Sequence, residues 1–119
     1  MTGRVDPEGR ALLSAMTAPA GGRPTEIEVW IDTAFTGTLT MPRTIAAELG
    51  LRAGASTDAV LADGSAVVLE TFVCDIAWFN KTYRTQAVAT DTEHPLPGTQ
   101  LLAGRRLMID YSAGTVELV

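Results

Sequence analysis

The alternation of side chains over residues 25–31, with apolar residues on one face and two glutamates on the other, limits the possible fold of this chain more than any other feature. Glu26 and Glu28 are the acidic members. The apolar members are Ile27, Val29 and Ile31. Because successive side chains of a β-strand point to opposite faces, the pattern predicts a strand with one buried face. The strand ends at Asp32, so a single carboxylate is expected where an apolar strand gives way to a loop.

The remaining signals predict a mostly β fold with one or two short helices. Proline suits the start of a helix and glycine its end, so a helix is predicted over Pro42–Leu49, before Gly50. A second helical segment is predicted at Thr99–Ala103. Asp63-Gly64 is typical of a hairpin turn. The other predicted strands are Arg10–Thr17, Val67–Phe79, Tyr83–Ala89, Leu107–Tyr111 and Thr115–Val119.

The length of the chain allows one domain. With 119 residues, of which 46% are hydrophobic, it can bury one substantial core but not two independent ones. We expect residues 10–119 to form this domain. Residues 1–9 are polar and contain glycine and proline, so we expect them to form a loose N-terminal leader.

Charge and hydropathy argue against two classes of partner. The 14 acidic and 9 basic residues give a net charge of −5, and no run of Lys or Arg is present that would neutralise a phosphate backbone. Nucleic acid is therefore not expected as a partner. The apolar runs are too short to cross a bilayer and the N-terminus lacks a signal-peptide pattern, so we expect a cytoplasmic protein without membrane contact.

The residue types also argue against a metal or a cofactor. Cys74 is the only cysteine, which excludes an internal disulfide, and with His94 alone it cannot form a zinc site. Cys74 lies in an apolar run and is predicted to be a buried core thiol. The sequence motifs of phosphate-binding loops, dinucleotide-binding folds and serine hydrolases are absent.

Asp32 is the remaining candidate for chemistry, and it has two interpretations. An aspartate after a strand is often a turn residue whose carboxylate accepts backbone N–H groups. Here the strand carries the carboxylate towards the core, and the small residues Thr33 and Ala34 allow the backbone to approach it closely. A buried carboxylate needs such donors. The combination therefore favours a functional aspartate.

The sequence I-D-T-A-F-T-G at residues 31–37, followed by L-T-M-P at residues 39–42, resembles the active-site loop of the retropepsin-like, retroviral-type aspartic proteases of clan AA. The Asp63-Gly64 turn lies where that family has its flap. Leu96-Pro97-Gly98 and the residues after it resemble the family's apolar-apolar-Gly segment, short helix and closing strands. Bacterial members end in a similar sequence. The resemblance covers about residues 9–119 in order and points to a bacterial single-lobe member.

The resemblance implies a small closed β-barrel and an aspartic endopeptidase that needs no cofactor. One chain supplies only one Asp32, so a homodimer would have to bring two of these carboxylates together about a twofold axis. Like charges that close cannot both ionise comfortably, so the pair would share one proton and activate a water molecule against a peptide bond. The rate would be highest on the acidic side of neutrality.

The resemblance also implies roles for the residues around Asp32. The hydroxyl of Thr33 would join the loops of the two chains, the N–H of Ala34 would bind the carboxylate, and Gly37 would support the loop. A flap would close over an extended peptide, with its tip at Asp63, Gly64 and Ser65. A segment beside the loop would consist of Leu96, Pro97 and Gly98.

Two other interpretations stay open. Glycine is usual in the family at the position of Ala34 and an aliphatic residue at that of Pro97, so the chain also fits a catalytically weak or inactive domain that binds peptides or dimerises. An unrelated small β-barrel would make the Asp32 loop an ordinary turn, and the ordered set of matches argues against it. Asp110 is expected to pair with an arginine or a backbone donor at a sheet edge. No binding role is assigned to the aromatic residues Trp30, Phe35, Trp78 and Phe79.

Overall fold

The computed structural model describes residues 1–119 and contains ten strands and two short helices. The strands are β1 (Thr2–Val5), β2 (Ala11–Ala18), β3 (Thr25–Trp30), β4 (Thr40–Pro42), β5 (Thr57–Val60), β6 (Ala66–Leu69), β7 (Thr71–Trp78), β8 (Lys81–Thr90), β9 (Leu107–Asp110) and β10 (Thr115–Leu118). The helices are α1 (Arg43–Leu49) and α2 (Thr99–Leu102). The mostly β class with short helices is confirmed.

Eight of the strands form one sheet. Its order is β4-β8-β7-β2-β1-β10-β9, and β3 pairs with β2 outside this path. β5 and β6 form a separate two-stranded hairpin. The two ends of the path, β4 and β9, do not pair, so the closed barrel expected from the sequence is not confirmed. β4 has three residues and passes through Pro42 directly into α1, which leaves it little backbone for further pairing.

Residues 1–9 do not form the loose leader expected from their composition, because β1 lies inside the main sheet. It pairs antiparallel with β2 on one side and with β10 on the other. The N-terminal amino group donates to the carbonyl oxygen of Leu118 at 2.7 Å. Gly3 lies so close to the carbonyl of Leu12 that a side chain at this position would collide with it. β10 is distant in sequence, so the local composition carries no sign of this pairing.

The strand predicted over Val67–Phe79 is divided in two. β6 belongs to the hairpin and β7 to the main sheet, with Glu70 between them. The carbonyl oxygen of Glu70 accepts the N–H of Ala89 at 2.9 Å, and its carboxylate pairs with Arg43 at 3.1 Å. Residue types on both sides of Glu70 favour strands, so the change from one sheet to the other leaves no local mark in the sequence.

The predicted buried face of β3 is part of the hydrophobic core. Val29 is fully buried and Ile31 nearly so, while Ile27 is half-buried and packs against the core. Cys74 is also fully buried, as predicted, and burial together with the nearby charge of Asp75 raises the pKa of its thiol to about 11. Other large members of the core cluster are Leu13, Leu39, Met41, Ile76, Trp78, Val116 and Leu118. This core holds β3 in place up to its last residue.

Both predicted helical segments are present. α1 follows Pro42 and ends at Gly50, whose φ of 71° is left-handed and whose N–H bonds back to the carbonyl of Ala47 at 3.2 Å. The indole N–H of Trp78 donates to the carbonyl oxygen of Leu101 at 2.9 Å and ties α2 to the core. Neither helix has the length and apolar composition that crossing a membrane requires.

Asp6 ties together the turn between β1 and β2. Its Oδ1 accepts the N–H groups of Arg10 and Glu8 at 2.9 and 3.0 Å, and its Oδ2 pairs with the Arg10 guanidinium at 2.6 Å. Burial alone would raise the pKa of Asp6, but these hydrogen bonds and the charge of Arg10 hold it below its usual range. The folded chain therefore favours the ionised form of Asp6 more than the unfolded chain does.

This turn predicts a pH dependence of stability. The contribution of Asp6 is complete above the pKa of an unfolded aspartate, about 4, and is lost as the pH falls through the lower pKa of the folded state. We expect Asp6→Asn to be less stable than the wild type at neutral pH, with a difference that shrinks as the solution is acidified. Urea unfolding at neutral and acidic pH measures this, with the exposed Asp58→Asn as control. A difference independent of pH would contradict the prediction.

Candidate active site

Asp32 lies just after the end of β3, where the chain runs between Ala11 on one side and residues 95–97 on the other. The N–H of Ile31 donates to the carbonyl oxygen of Ala11 at 3.1 Å on one side. On the other side, the N–H of Trp30 donates to the carbonyl of Pro95 at 2.9 Å, and the N–H of Asp32 to that of Pro97 at 3.4 Å. The backbone of Asp32 is thus fixed by its neighbours although the residue itself is no longer part of a strand.

The carboxylate of Asp32 is half-buried and is held by the loop that follows it. Its Oδ1 accepts the N–H of Ala34 at 2.9 Å, and its carbonyl oxygen accepts the N–H of Phe35 at 3.3 Å. Ala34 is exposed and does not have a positive φ. The position therefore does not require glycine: alanine supplies the same donor, and the residue is exposed rather than packed inside the loop.

The segment Leu96-Pro97-Gly98 lies alongside this loop. The N–H of Gly98 donates to the carbonyl of Thr38 at 2.9 Å, and the N–H of Thr40 to that of Leu96 at 3.0 Å. Pro97 lies between these two bonds, opposite Leu39. A residue at this position of an antiparallel pair does not bond to the residue opposite it, so the missing N–H of proline costs no hydrogen bond to Leu39.

Two glycines make room for the ring of Phe35. A side-chain carbon at Gly37 would collide with this ring, and one at Gly98 would collide with the carbonyl oxygen of Gly37 and lie 2.6 Å from that of Phe35. The same carbonyls anchor the first residues of α2: Thr99 donates its N–H to Phe35 at 2.8 Å, and Gln100 its N–H to Gly37 at 3.2 Å. The Asp32 loop and the start of α2 are therefore one packed unit.

The hairpin of β5 and β6 has its tip where the sequence predicted a flap. Asp63 accepts both the N–H of Ser65 at 2.9 Å and its hydroxyl at 2.6 Å, and these bonds lower the pKa of Asp63. Gly64 has a φ of 86°, a left-handed value that suits glycine. The hydrogen bonds of Asp63 stay within the tip. The base of the hairpin, rather than its tip, lies next to the Asp32 loop.

A cavity of ≈370 Å³ lies between that base and the Asp32 loop. The loop contributes the half-buried Phe35, and the buried Thr71 contributes a hydroxyl that donates to the carbonyl of Ala55 at 2.6 Å. Its lining residues are Phe35, Gly37, Thr38, Leu39, Ala55, Ser56, Thr57, Thr71, Gln86 and Val88. Hydroxyl, amide and apolar groups thus surround a space directly beside the carboxylate loop.

The structure brings together only part of the predicted site. Direct hydrogen bonds join Asp32 to both Ala34 and Pro97. The carbonyl group of Gly37 lies against Gly98. Thr33 is exposed, and its hydroxyl makes no hydrogen bond within the chain. No group of three or more His, Cys, Asp or Glu side chains is placed to hold a metal ion.

Several side chains near the site were not predicted to take part in it. The sequence assigns no role to Phe35, although its ring packs between Gly37 and Gly98 and lines the cavity. In the sequence, Gly37 and Gly98 were the sign of this packing, because glycine commonly marks a place where another group approaches the backbone closely. Gln86 lies on β8, and nothing in the sequence indicates that it lies near the Asp32 loop. Asp110 lies elsewhere and binds the N–H groups of the following turn, as expected for an aspartate at a sheet edge.

Comparison with known proteins agrees with this architecture. Neither a protein-family model nor a curated protein sequence matches the chain. Among solved structures, EIAV protease complexed with the inhibitor HBY-793 matches with a TM-score of 0.55 and 17% sequence identity, over 82% of this chain and 88% of that chain. The chain shares the fold of a retroviral protease. At this identity the likeness concerns the fold alone, and the bacterial origin and cytoplasmic location stay predictions from the sequence.

Proposed function

We propose that this protein is an aspartic endopeptidase that works as a homodimer. The observation that carries the proposal is the Asp32 carboxylate at the end of β3, half-buried and bound by the N–H of Ala34 at 2.9 Å. The retroviral protease fold supports it, because the neighbour with this fold is a protease that was bound to an inhibitor. One chain has one such carboxylate, so the catalytic pair requires a second copy.

In the proposed dimer, the two Asp32 carboxylates face each other and share one proton. Two negative charges that face each other closely repel strongly, so one carboxyl group stays protonated while the other is ionised. The ionised group removes a proton from a water molecule between them, and this water attacks the peptide carbonyl carbon. The protonated group donates its proton to the carbonyl oxygen. Activity is therefore highest on the acidic side of neutrality.

The surrounding residues hold this pair in position. The N–H of Ala34 fixes the orientation of the carboxylate, and Gly37 lets the loop pack against α2. The exposed hydroxyl of Thr33 is free to bind the loop of the second chain. An extended peptide fits such a site, because the hairpin with Asp63, Gly64 and Ser65 at its tip can close over it and exclude water.

The experiment that tests this function is a mass-spectrometric cleavage assay on a diverse peptide library, from acidic to neutral pH and at high protein concentration. The wild type is compared with Asp32→Asn. Cleavage by the wild type that is lost in the variant supports the proposal. A dimer that leaves every peptide intact rejects it in favour of the second function predicted from the sequence, a peptide-binding or dimerisation module.

The cavity beside the loop predicts a side-chain preference. Ser56 is exposed at its wall, so Ser56→Trp would fill part of the ≈370 Å³. For peptides with a large side chain in this cavity we expect kcat/KM to fall by about tenfold or more, the usual effect of removing pocket contacts. Peptides with glycine or alanine at that position should be cleaved as before. Ser56→Ala is the matched control, and an equal loss for all peptides would contradict the assignment of the cavity.

A further inference from the structure

The outer edge of β3 is open along the first part of the strand. β3 pairs with β2 on one side, and on the other side the chain covers only its end, where the N–H of Trp30 donates to the carbonyl of Pro95 at 2.9 Å. In an antiparallel pair, residues that bond to the partner strand alternate with residues that do not. Ile31 bonds to the β2 side at 3.1 Å and Trp30 does not, so the backbone N–H and C=O groups of Glu26 and Glu28 also face the open side.

A groove of ≈510 Å³ lies between this open edge and α1. Ile45, Glu48 and Leu49 line it from the helix, and their spacing of three and four residues places them on one side of α1. Ile45 and Ile27 also pack against the core, so the groove has an apolar floor. The other lining residues are Thr25, Glu26, Glu28, Glu93 and His94. The groove thus offers unpaired backbone groups on one wall and apolar side chains beneath them.

Four carboxylates line the groove, and two of them have no cationic partner. Glu28 and Glu93 each pair with an arginine, at 3.1 and 2.7 Å. Glu26 and Glu48 are exposed and form no ion pair. The groove is therefore acidic, on a chain whose net charge is already −5.

One end of the groove also has unmet hydrogen-bonding capacity. His94 lies at this end, just before Pro95 takes over the edge of β3. The Nε2 atom of His94 is buried and has no hydrogen-bond partner within the chain. Buried polar atoms without a partner are uncommon in folded proteins. This atom and the open backbone groups of Glu26 and Glu28 therefore lie along one surface that the chain alone leaves incomplete.

We propose that this groove binds an extended segment of a partner protein in which basic and apolar residues alternate, and that the segment joins β3 as an antiparallel strand. Basic residues opposite Glu26 and Glu28 bond to their backbone groups and lie on the same face as their carboxylates. The apolar residues between them face Ile27 and the floor of the groove. Glu48 adds negative charge from the opposite wall.

The charges identify the occupant. A second copy of this chain paired through β3 would place glutamates opposite glutamates, and like charges directly opposite each other are destabilising. Nucleic acid and anionic membranes are repelled for the same reason. Charged side chains commonly protect an open edge against neutral strands. Glu26 and Glu28 do this here, and only a strand of opposite charge gains from pairing with them.

The groove is separate from the proposed cleavage site. Glu28 and Glu26 precede Asp32 by four and six residues, which is about 13 and 20 Å along an extended chain. The inference therefore goes beyond the proposed function. Binding is measured with the Asp32→Asn protein, which should not cleave the probe, so the result does not depend on whether the wild type is a protease.

A backbone-amide NMR titration of isotope-labelled protein tests the proposal with three peptides. Lys-Val-Lys-Val-Lys should shift the amide signals of Glu26 and Glu28 and leave that of Ala34 in the Asp32 loop unchanged. Lys-Lys-Lys-Val-Val has the same composition without the alternation, and Gln-Val-Gln-Val-Gln has the alternation without the charge. Both should bind more weakly by about tenfold or more. Equal binding of the two lysine peptides, or shifts confined to the Asp32 loop, would overturn the proposal.

Charge reversal on either wall tests the electrostatic part. Glu26→Lys and Glu48→Lys should each weaken binding of Lys-Val-Lys-Val-Lys by about threefold to tenfold, because each replaces an attraction with a repulsion. Glu117→Lys is the matched control, since it makes the same change in charge at an exposed position of β10. Circular dichroism checks that all three variants fold. An equal loss in Glu117→Lys would assign the effect to net charge and reject the groove.

Methylated peptides test the strand pairing. In the antiparallel register the N–H groups of the lysines face β3 and those of the valines face away. Methylating the lysine backbone nitrogens should therefore weaken binding by about tenfold or more, and methylating the valine nitrogens by less than about threefold. Equal effects would overturn the strand pairing, and the reverse order would overturn its antiparallel direction. A protein whose groove amides respond to no peptide overturns the proposal even if Asp32-dependent cleavage is found.

Discussion

Replacing Asp32 with asparagine is expected to lower kcat/KM for peptide cleavage by about 10²- to 10⁴-fold, the usual contribution of a general acid or base. Asparagine has nearly the same shape and still accepts the N–H of Ala34, so the loop should keep its geometry. It cannot, however, take a proton from water or hold one for the substrate. The variant should therefore fold and dimerise like the wild type and fail only in the chemical step.

Mixing this variant with the wild type tests whether both chains contribute to one site. If chains exchange freely in equal amounts, about half of the wild-type chains end up paired with a variant chain. Such mixed dimers have one carboxylate, so the activity per wild-type chain should fall about twofold, and further with excess variant. Glu26→Gln, which changes an exposed carboxylate on the same strand, is the control. Activity that does not respond to added Asp32→Asn would show that one chain suffices.

The elements that the sequence predicts well depend on residues close together in the chain. The alternation over residues 25–31 and the Pro42 and Gly50 boundaries of α1 are local, and both are observed. β1 pairs instead with β10, more than a hundred residues away, and polar residues 1–9 show nothing of it. The break at Glu70 is equally hidden, because it depends on which of two sheets the chain joins and not on strand propensity.

The same distinction holds for the candidate site. The bond from Ala34 to Asp32 spans two residues and was predictable from the loop sequence. The place of Pro97 was not: its carbonyl accepts the N–H of Asp32, so its missing N–H faces the Asp32 segment and not Leu39, with which no bond is needed. The cavity was unpredictable for a similar reason, since Phe35, Thr71 and Gln86 come from three separate segments. The hydrogen bond within the Asp32 loop could be predicted from the local sequence, whereas the cavity beside the loop depends on how distant segments pack together.

Gly98→Ala is expected to be the most damaging small substitution near the site. The added carbon would collide with the carbonyl oxygen of Gly37 and lie 2.6 Å from that of Phe35. Backbone atoms cannot move aside without breaking the bonds from Thr99 and Gln100 that hold α2 to the loop. Overpacking typically costs 1–3 kcal/mol and sometimes more, and we expect about 3 kcal/mol here because no flexible group can give way. Urea unfolding at one fixed protein concentration measures the loss, since a dimer's stability depends on concentration.

Gly37→Ala provides a matched comparison, because its added carbon would meet the Phe35 ring rather than backbone. A side chain can shift, so the loss should be smaller, about 1 kcal/mol. Reducing the ring by Phe35→Leu should recover part of the stability lost by Gly37→Ala but almost none of that lost by Gly98→Ala. Equal recovery of both variants would mean that the ring, and not the two carbonyl groups, sets the limit at Gly98. The same variants should lose cleavage in the order of their stability loss, because the loop that holds Asp32 is the part displaced.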